Sequence, residues 1–224
     1  MGKVKCKWFF LKIKFYWDND NNPRTYLDLM IIRLVFHLII LLYKDKIKRY
    51  RVHRRWMNDD DGHQLSFIYY TNKATHNKIK TYIKKSEFLN ELKEEGIIER
   101  IQNVDENKTE IEDTSDSQWY GNVRIAWPVF AQGATDMLIH LIELCAKNND
   151  RKLDSFIDIC LMYRDIQEAL DTYMYVQGNH SLIHHIRGIF GYPKVGVRLK
   201  FRDRLKCMFY KLYQGDKALI PFNF

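Results

Sequence analysis

The densest cluster of titratable side chains lies late in the chain, in the run GNHSLIHHIRGIFGY, Gly178 to Tyr192. His180 and His184 are four residues apart, so on a helix they share one face, as two metal ligands on one helix must. No glutamate stands between them to act as the base of a zinc hydrolase, and a third ligand would have to come from Asp165, Glu168 or Asp171. No firmly bound metal is therefore expected. Histidines satisfied at a helix-packing surface would give the same spacing. Proton transfer is another use of the cluster, because an imidazole titrates near neutrality and Arg187 beside it can hold a carboxylate or phosphate. His184, Arg187 and His180 are accordingly the candidate catalytic residues. The sequence contains no G-x-S-x-G, no P-loop and no G-x-G-x-x-G after a strand, so it leaves catalysis open and calls for no cofactor.

A second surface with chemical potential is basic and aromatic. Arg49, Arg51, His53 and Arg55 alternate along one extended run, and Lys12 and Lys14 alternate along another with Trp8, Phe10 and Tyr16. If those runs lie side by side, the face resembles sheets on which RNA-recognition folds stack bases. The run GHQLSFIYY lacks the basic-glycine-aromatic signature of such folds. Helices packed over the same face would instead make its aromatics core.

The elements that must position these residues follow from periodicity. Phe9, Leu11, Ile13 and Phe15 alternate with the basic and aromatic residues, which predicts a strand over Lys5 to Trp17. After a polar loop, Tyr26 to Lys46 reads as a helix on which Arg33, His37 and Lys44 form one narrow polar stripe, so it should be covered on more than one side. Ile47 to Met57 and Gln64 to Thr71 read as strands joined by an Asp-rich hairpin loop. Asn77 to Glu95 reads as helix, interrupted near Ser86, which can cap a second segment ending at Gly96. Ile97 to Gln102 closes the series as a strand.

The order is strand, helix, strand, strand, helix, strand. It predicts an α+β protein with a ferredoxin-like βαββαβ half over residues 1–103. Residues 104–118 form an acidic, mobile connection, and residues 119–224 a mostly helical half packed against the sheet. Within that half, helices are expected from Pro128 to about Ala146, from Leu153 to Gly178, over Ser181 to Phe190 and over Asp203 to Tyr213, with an extra strand at Val195 to Phe201.

Composition supports folding: 46% of residues are hydrophobic and 14% aromatic, which argues against disorder. The net charge of +8 is uneven, for residues 1–57 carry 14 Lys and Arg against 4 acids, whereas residues 58–119 carry 8 against 14. Such asymmetry suits an acidic partner, nucleic acid included, as well as a solvated lysine-rich surface. Cys6, Cys145, Cys160 and Cys207 are far apart in the sequence, suggesting a reducing cytoplasm rather than a disulfide framework. No signal peptide is read at the N-terminus. The most apolar run, Leu29 to Tyr43, contains Arg33 and His37 and falls short of the roughly 20 apolar residues of a membrane span, so no transmembrane segment is expected.

Several stretches in order resemble one family. They are the aromatic strand Trp8 to Tyr16, a strand led by His63 and running to Tyr70, the segment SEFLNELKEEGIIERI, the pair Tyr120-Gly121, the helix-like WPVFAQGATDMLIHLIEL, and the late His184, His185, Arg187 and Gly188. Together they resemble the small elimination-type domain of lantibiotic dehydratases, also called the thiopeptide-type bacteriocin biosynthesis domain. In that family the histidine-led strand carries alternating arginines that handle a glutamyl leaving group; here Gln64, Leu65 and Ser66 stand there. The resemblance thus implies a diverged, lyase-like or binding role on a ribosomally made peptide rather than glutamate elimination. Candidate substrate-binding residues are Arg51, His53 and Arg55 on the basic strand, with His63 and Tyr70. The expected partner is a precursor peptide or a partner biosynthetic protein, and a homodimer is compatible. A nucleic-acid-binding module and a non-catalytic interaction subunit are the alternatives.

Overall fold

The computed structural model describes residues 5–16, 24–55, 62–105 and 121–174. The chain divides into two compact units, Met1–Leu170 and Asp171–Phe224, and almost all described residues belong to the first. Its elements are β1 (Cys6–Phe15), α1 (Tyr26–Tyr43), β2 (Arg49–Arg55), β3 (Gln64–Asn72), α2 (Lys73–Lys84), α3 (Glu87–Glu94), β4 (Ile98–Asp105), α4 (Gly121–Lys147) and α5 (Phe156–Tyr173). The protein is α+β, and its four strands form one antiparallel sheet in the order β2-β3-β1-β4.

Alternation along β1 decides which side of the sheet becomes core. Phe9, Leu11, Ile13 and Phe15 join Leu65, Phe67 and Tyr69 of β3 against α1, where Leu29, Met30, Ile32, Val35, Phe36 and Ile39 are buried. Phe36 stacks on Phe67 with ring centroids 4.9 Å apart. Burial of each such side chain stabilises by about 1.5–3 kcal/mol, which makes this layer the main source of stability. Ile79, Ile83, Leu89 and Leu92 add α2 and α3 to the same layer, and Ile139, Ile142, Met162, Tyr163 and Ile166 add α4 and α5. On the opposite face a small separate cluster holds Cys6, Trp8, Ile68 and Tyr70.

The boundaries differ from expectation where local caps or pairing prevail over periodicity. The helix expected from Asn77 starts at Lys73, because the Asn72 side chain accepts from Thr75 N–H at 2.9 Å and caps it. Ser86 caps α3 as expected, and Gly96, with φ of 68°, ends it in a left-handed conformation that suits glycine. Strand β4 runs three residues past Gln102, so Val104 and Asp105 belong to the sheet rather than to the connection expected from residue 104; Lys7 and Lys73 both bind the Asp105 carboxylate there. Pro128 does not open α4 but lies inside it, seven residues after Gly121. Helix α1 ends at Tyr43 and has a π-helical middle, Ile32–His37.

Candidate functional site

The most buried carboxylate among the described residues is Asp28, in the first turn of α1. It is 1% exposed, as is fitting only for a carboxylate with partners. His63 Nε2, itself 2% exposed, lies 2.8 Å from Asp28 Oδ1, and Arg54 Nε donates to Asp28 Oδ2 at 2.7 Å. Arg54 also donates through its terminal nitrogen to the Thr25 carbonyl at 2.8 Å and to Gln167 Oε1 at 2.9 Å. Phe15 stacks on the His63 ring, with centroids 4.3 Å apart. The Asp28 carboxylate thus ties the start of α1 to β2 and to the residue that precedes β3, and Arg54 extends the link to α5. Arg54 and Asp28 were not anticipated from sequence, yet a signal existed: Arg54 shares the strand parity of Tyr50 and Val52, which puts it on the helix side.

The π-helical middle of α1 builds a second polar cluster. Arg33 Nε donates to Glu143 Oε1 of α4 at 3.0 Å, His37 Nδ1 lies 3.3 Å from the same oxygen, and an Arg33 terminal nitrogen donates to the Tyr163 hydroxyl at 3.3 Å. Burial pushes the Glu143 carboxyl up, but the bonds from Arg33 and His37 outweigh it and hold it below the ordinary carboxylate range. The stripe of Arg33 and His37 seen in the sequence is therefore spent on helix packing. A third buried polar pair joins Tyr69, whose hydroxyl lies 2.9 Å from His76 Nδ1, while Phe9 stacks on the His76 ring at 3.9 Å. Burial, helped by Lys73, lowers the His76 imidazole to about 4, so it is neutral at pH 7.

An open cavity among the described residues lies elsewhere. A groove of about 820 Å³ runs between α1 and the α2–α3 turn. Leu34, Tyr43, Tyr82 and Phe88 give it apolar lining, and Lys78, Lys85 and Glu87 give it charged lining. Asn77, Thr81 and Ser86 add hydrogen-bonding groups. Leu34 also begins a stripe of exposed leucines, Leu38, Leu41 and Leu42, along α1. Periodicity alone did not reveal this groove, because α1 reads as apolar nearly all round.

The residues singled out from sequence are divided by the sheet. His63 is on the helix side with Asp28, whereas Arg51, His53, Arg55 and Tyr70 are on the opposite face. Strand β3 lies between β2 and β1, so the basic rows are not adjacent as anticipated: Arg51 pairs with Ile68 and Ile68 with Phe10, while Arg55 pairs with Gln64 and Gln64 with Lys14. Two strand spacings of about 4.8 Å therefore separate the two rows. Trp8 is 1% exposed and packs on Tyr70 at 5.2 Å, so that one ring is spent on packing, whereas Phe10 is half-buried and Tyr16 is exposed. His180, His184 and Arg187 lie outside the described residues, as do Tyr120, the predicted strand at Val195 and the last helix. Among the described residues, no three His, Cys, Asp or Glu side chains are grouped as a metal site requires. No family model matches the chain, and neither a curated protein nor a solved structure matches it.

Proposed function

We propose that this protein binds a peptide segment of a partner, and that the groove between α1 and the α2–α3 turn receives it. The observation that carries this reading is the groove's chemistry: four apolar or aromatic side chains line it together with two lysines and one glutamate. Ligand sites are usually concave and join apolar side chains to placed polar groups, and this groove has both, with the polar and charged side chains in the majority. The segment that suits this one carries leucine- or phenylalanine-type side chains next to aspartate or glutamate. The family resemblance points to a ribosomally made precursor as the peptide class, and binding is the step that any chemistry on such a peptide needs first.

The experiment is an array of immobilised 12-residue peptides probed with the purified full chain, followed by anisotropy titrations of the best binders. Binders enriched in acidic and large apolar residues are expected. Lys78→Glu with Lys85→Glu should weaken them at least tenfold and invert the preference toward basic peptides. Absence of peptide binding above background, or binding unchanged in that double variant, would remove the groove as the site.

A further inference from the structure

Helix α4 is apolar on two opposite sides. One side is used: Ala131, Thr135, Ile139 and Ile142 are buried, and Thr135 Oγ1 accepts from Val52 N–H of the edge strand β2 at 3.1 Å. The opposite side presents Ala126, Phe130, Gly133, Met137, His140 and Leu144, all exposed. Their spacings alternate between four and three residues, which is the seam of a coiled coil. Phe130 is 48% exposed, Met137 40% and Leu144 43%, and only 22% of the most apolar 18-residue window of Arg124–Lys147 is buried. A helix apolar all round is normally buried all round.

We propose that this seam is a homodimer contact, in which α4 packs antiparallel on α4 of a second copy about a two-fold axis near residue 135. The order of side-chain sizes is the argument. In that pairing Ala126 meets the partner's Leu144, Gly133 meets the partner's Met137, and Phe130 meets the partner's His140. Small faces large twice, and ring faces ring once, as knobs and holes require. A parallel pairing would set Gly133 on the partner's Gly133 and Phe130 on the partner's Phe130, leaving a gap beside a crowd. Antiparallel helices also align their dipoles favourably, and a two-fold contact closes on itself. A lipid surface fits less well, because His140 lies within the seam and Asp136 and Glu143 border it, groups that are costly to submerge. This inference does not depend on the peptide groove.

Light scattering on the eluting full chain, at micromolar concentration, tests it. The expected mass is twice 27.1 kDa. Met137→Glu should give a monomer that keeps the wild-type circular dichroism spectrum, since the side chain is exposed, and whose melting temperature no longer varies with protein concentration. Gly133→Leu is the sharper variant, for a Cβ at Gly133 meets nothing within 4 Å in the single chain, so folding is untouched while the partner's Met137 is obstructed. Dimer dissociation should rise at least tenfold, and adding Met137→Ala to Gly133→Leu should restore the dimer by exchanging the sizes. A monomeric wild type overturns the proposal, and so does a dimer indifferent to both variants. Tighter association in Gly133→Leu would show a merely sticky surface, and a monomer that sediments with phosphatidylglycerol vesicles would assign the seam to lipid; either result overturns the proposal too.

Discussion

His63 Nε2 and Asp28 Oδ1 are 2.8 Å apart, with both side chains almost wholly buried, at the point where α1 begins and the β2–β3 hairpin returns. Arg54 completes the arrangement from the neighbouring strand. Removing one member of a buried ionic cluster leaves the others uncompensated, which typically costs about 3–5 kcal/mol. Asp28→Ala should therefore lower stability by that order in urea denaturation. Arg54→Ala should cost less, because its side chain is 28% exposed and water can take over part of its role. Equal, small losses in both variants would show that the cluster contributes little.

The second prediction concerns acid. His76 has an ordinary value of 6.5 and is lowered to about 4 in the folded protein, chiefly by burial and then by Lys73. Between those values the unfolded chain binds a proton that the folded chain refuses, so stability is complete above pH 6.5 and declines as pH falls through the window. His76→Gln keeps a hydrogen-bonding partner for the Tyr69 hydroxyl but cannot titrate. The slope of melting temperature against pH from 6.5 to 4.5 should be shallower in that variant, and equal slopes would refute the assignment.

The edge of the sheet offers a third test. Thr135 Oγ1 accepts from Val52 N–H and donates to the Ala131 carbonyl at 2.9 Å, so one hydroxyl covers an otherwise open position of β2. Thr135→Val retains the shape and removes the acceptor. A loss of about 1–3 kcal/mol is expected, with faster hydrogen exchange at the Val52 amide as the local signature.

A fourth prediction is smaller and local. Replacing Asn72 by Ala removes the side-chain acceptor at the start of α2 and should cost about 1 kcal/mol. Circular dichroism should show the helix retained, since Ile79 and Ile83 still anchor its apolar face.

Much of the architecture was legible because it depends on local pattern. The alternation of Phe9, Leu11, Ile13 and Phe15, the Asp-rich hairpin and the Ser86 cap each carry their meaning within a few residues. The polar clusters do not. Asp28 meets His63 across 35 residues, and Arg33 meets Glu143 across 110, separations at which no spacing rule operates. The π-helical middle of α1 is equally silent in sequence, although it helps set where Arg33 and His37 point. Adjacency of the basic rows was misjudged for a different reason: β2 and β3 pair as a hairpin, and it is β3, not β2, that adjoins β1.

Strand β1 occupies the centre of the sheet, between β3 and β4, although it is made before either. During translation its row of Phe9, Leu11, Ile13 and Phe15 must wait for Gln64–Asn72, and then for Ile98–Asp105, before both of its backbone edges are satisfied. At roughly 5–20 residues per second, the second wait alone means several seconds in which a nascent chain displays an oily ribbon with an open edge. Ribosome-associated chaperones, which shield such ribbons, are thus the first cellular factors this topology calls on, and depleting them should reduce soluble yield before any effect on the finished protein is seen.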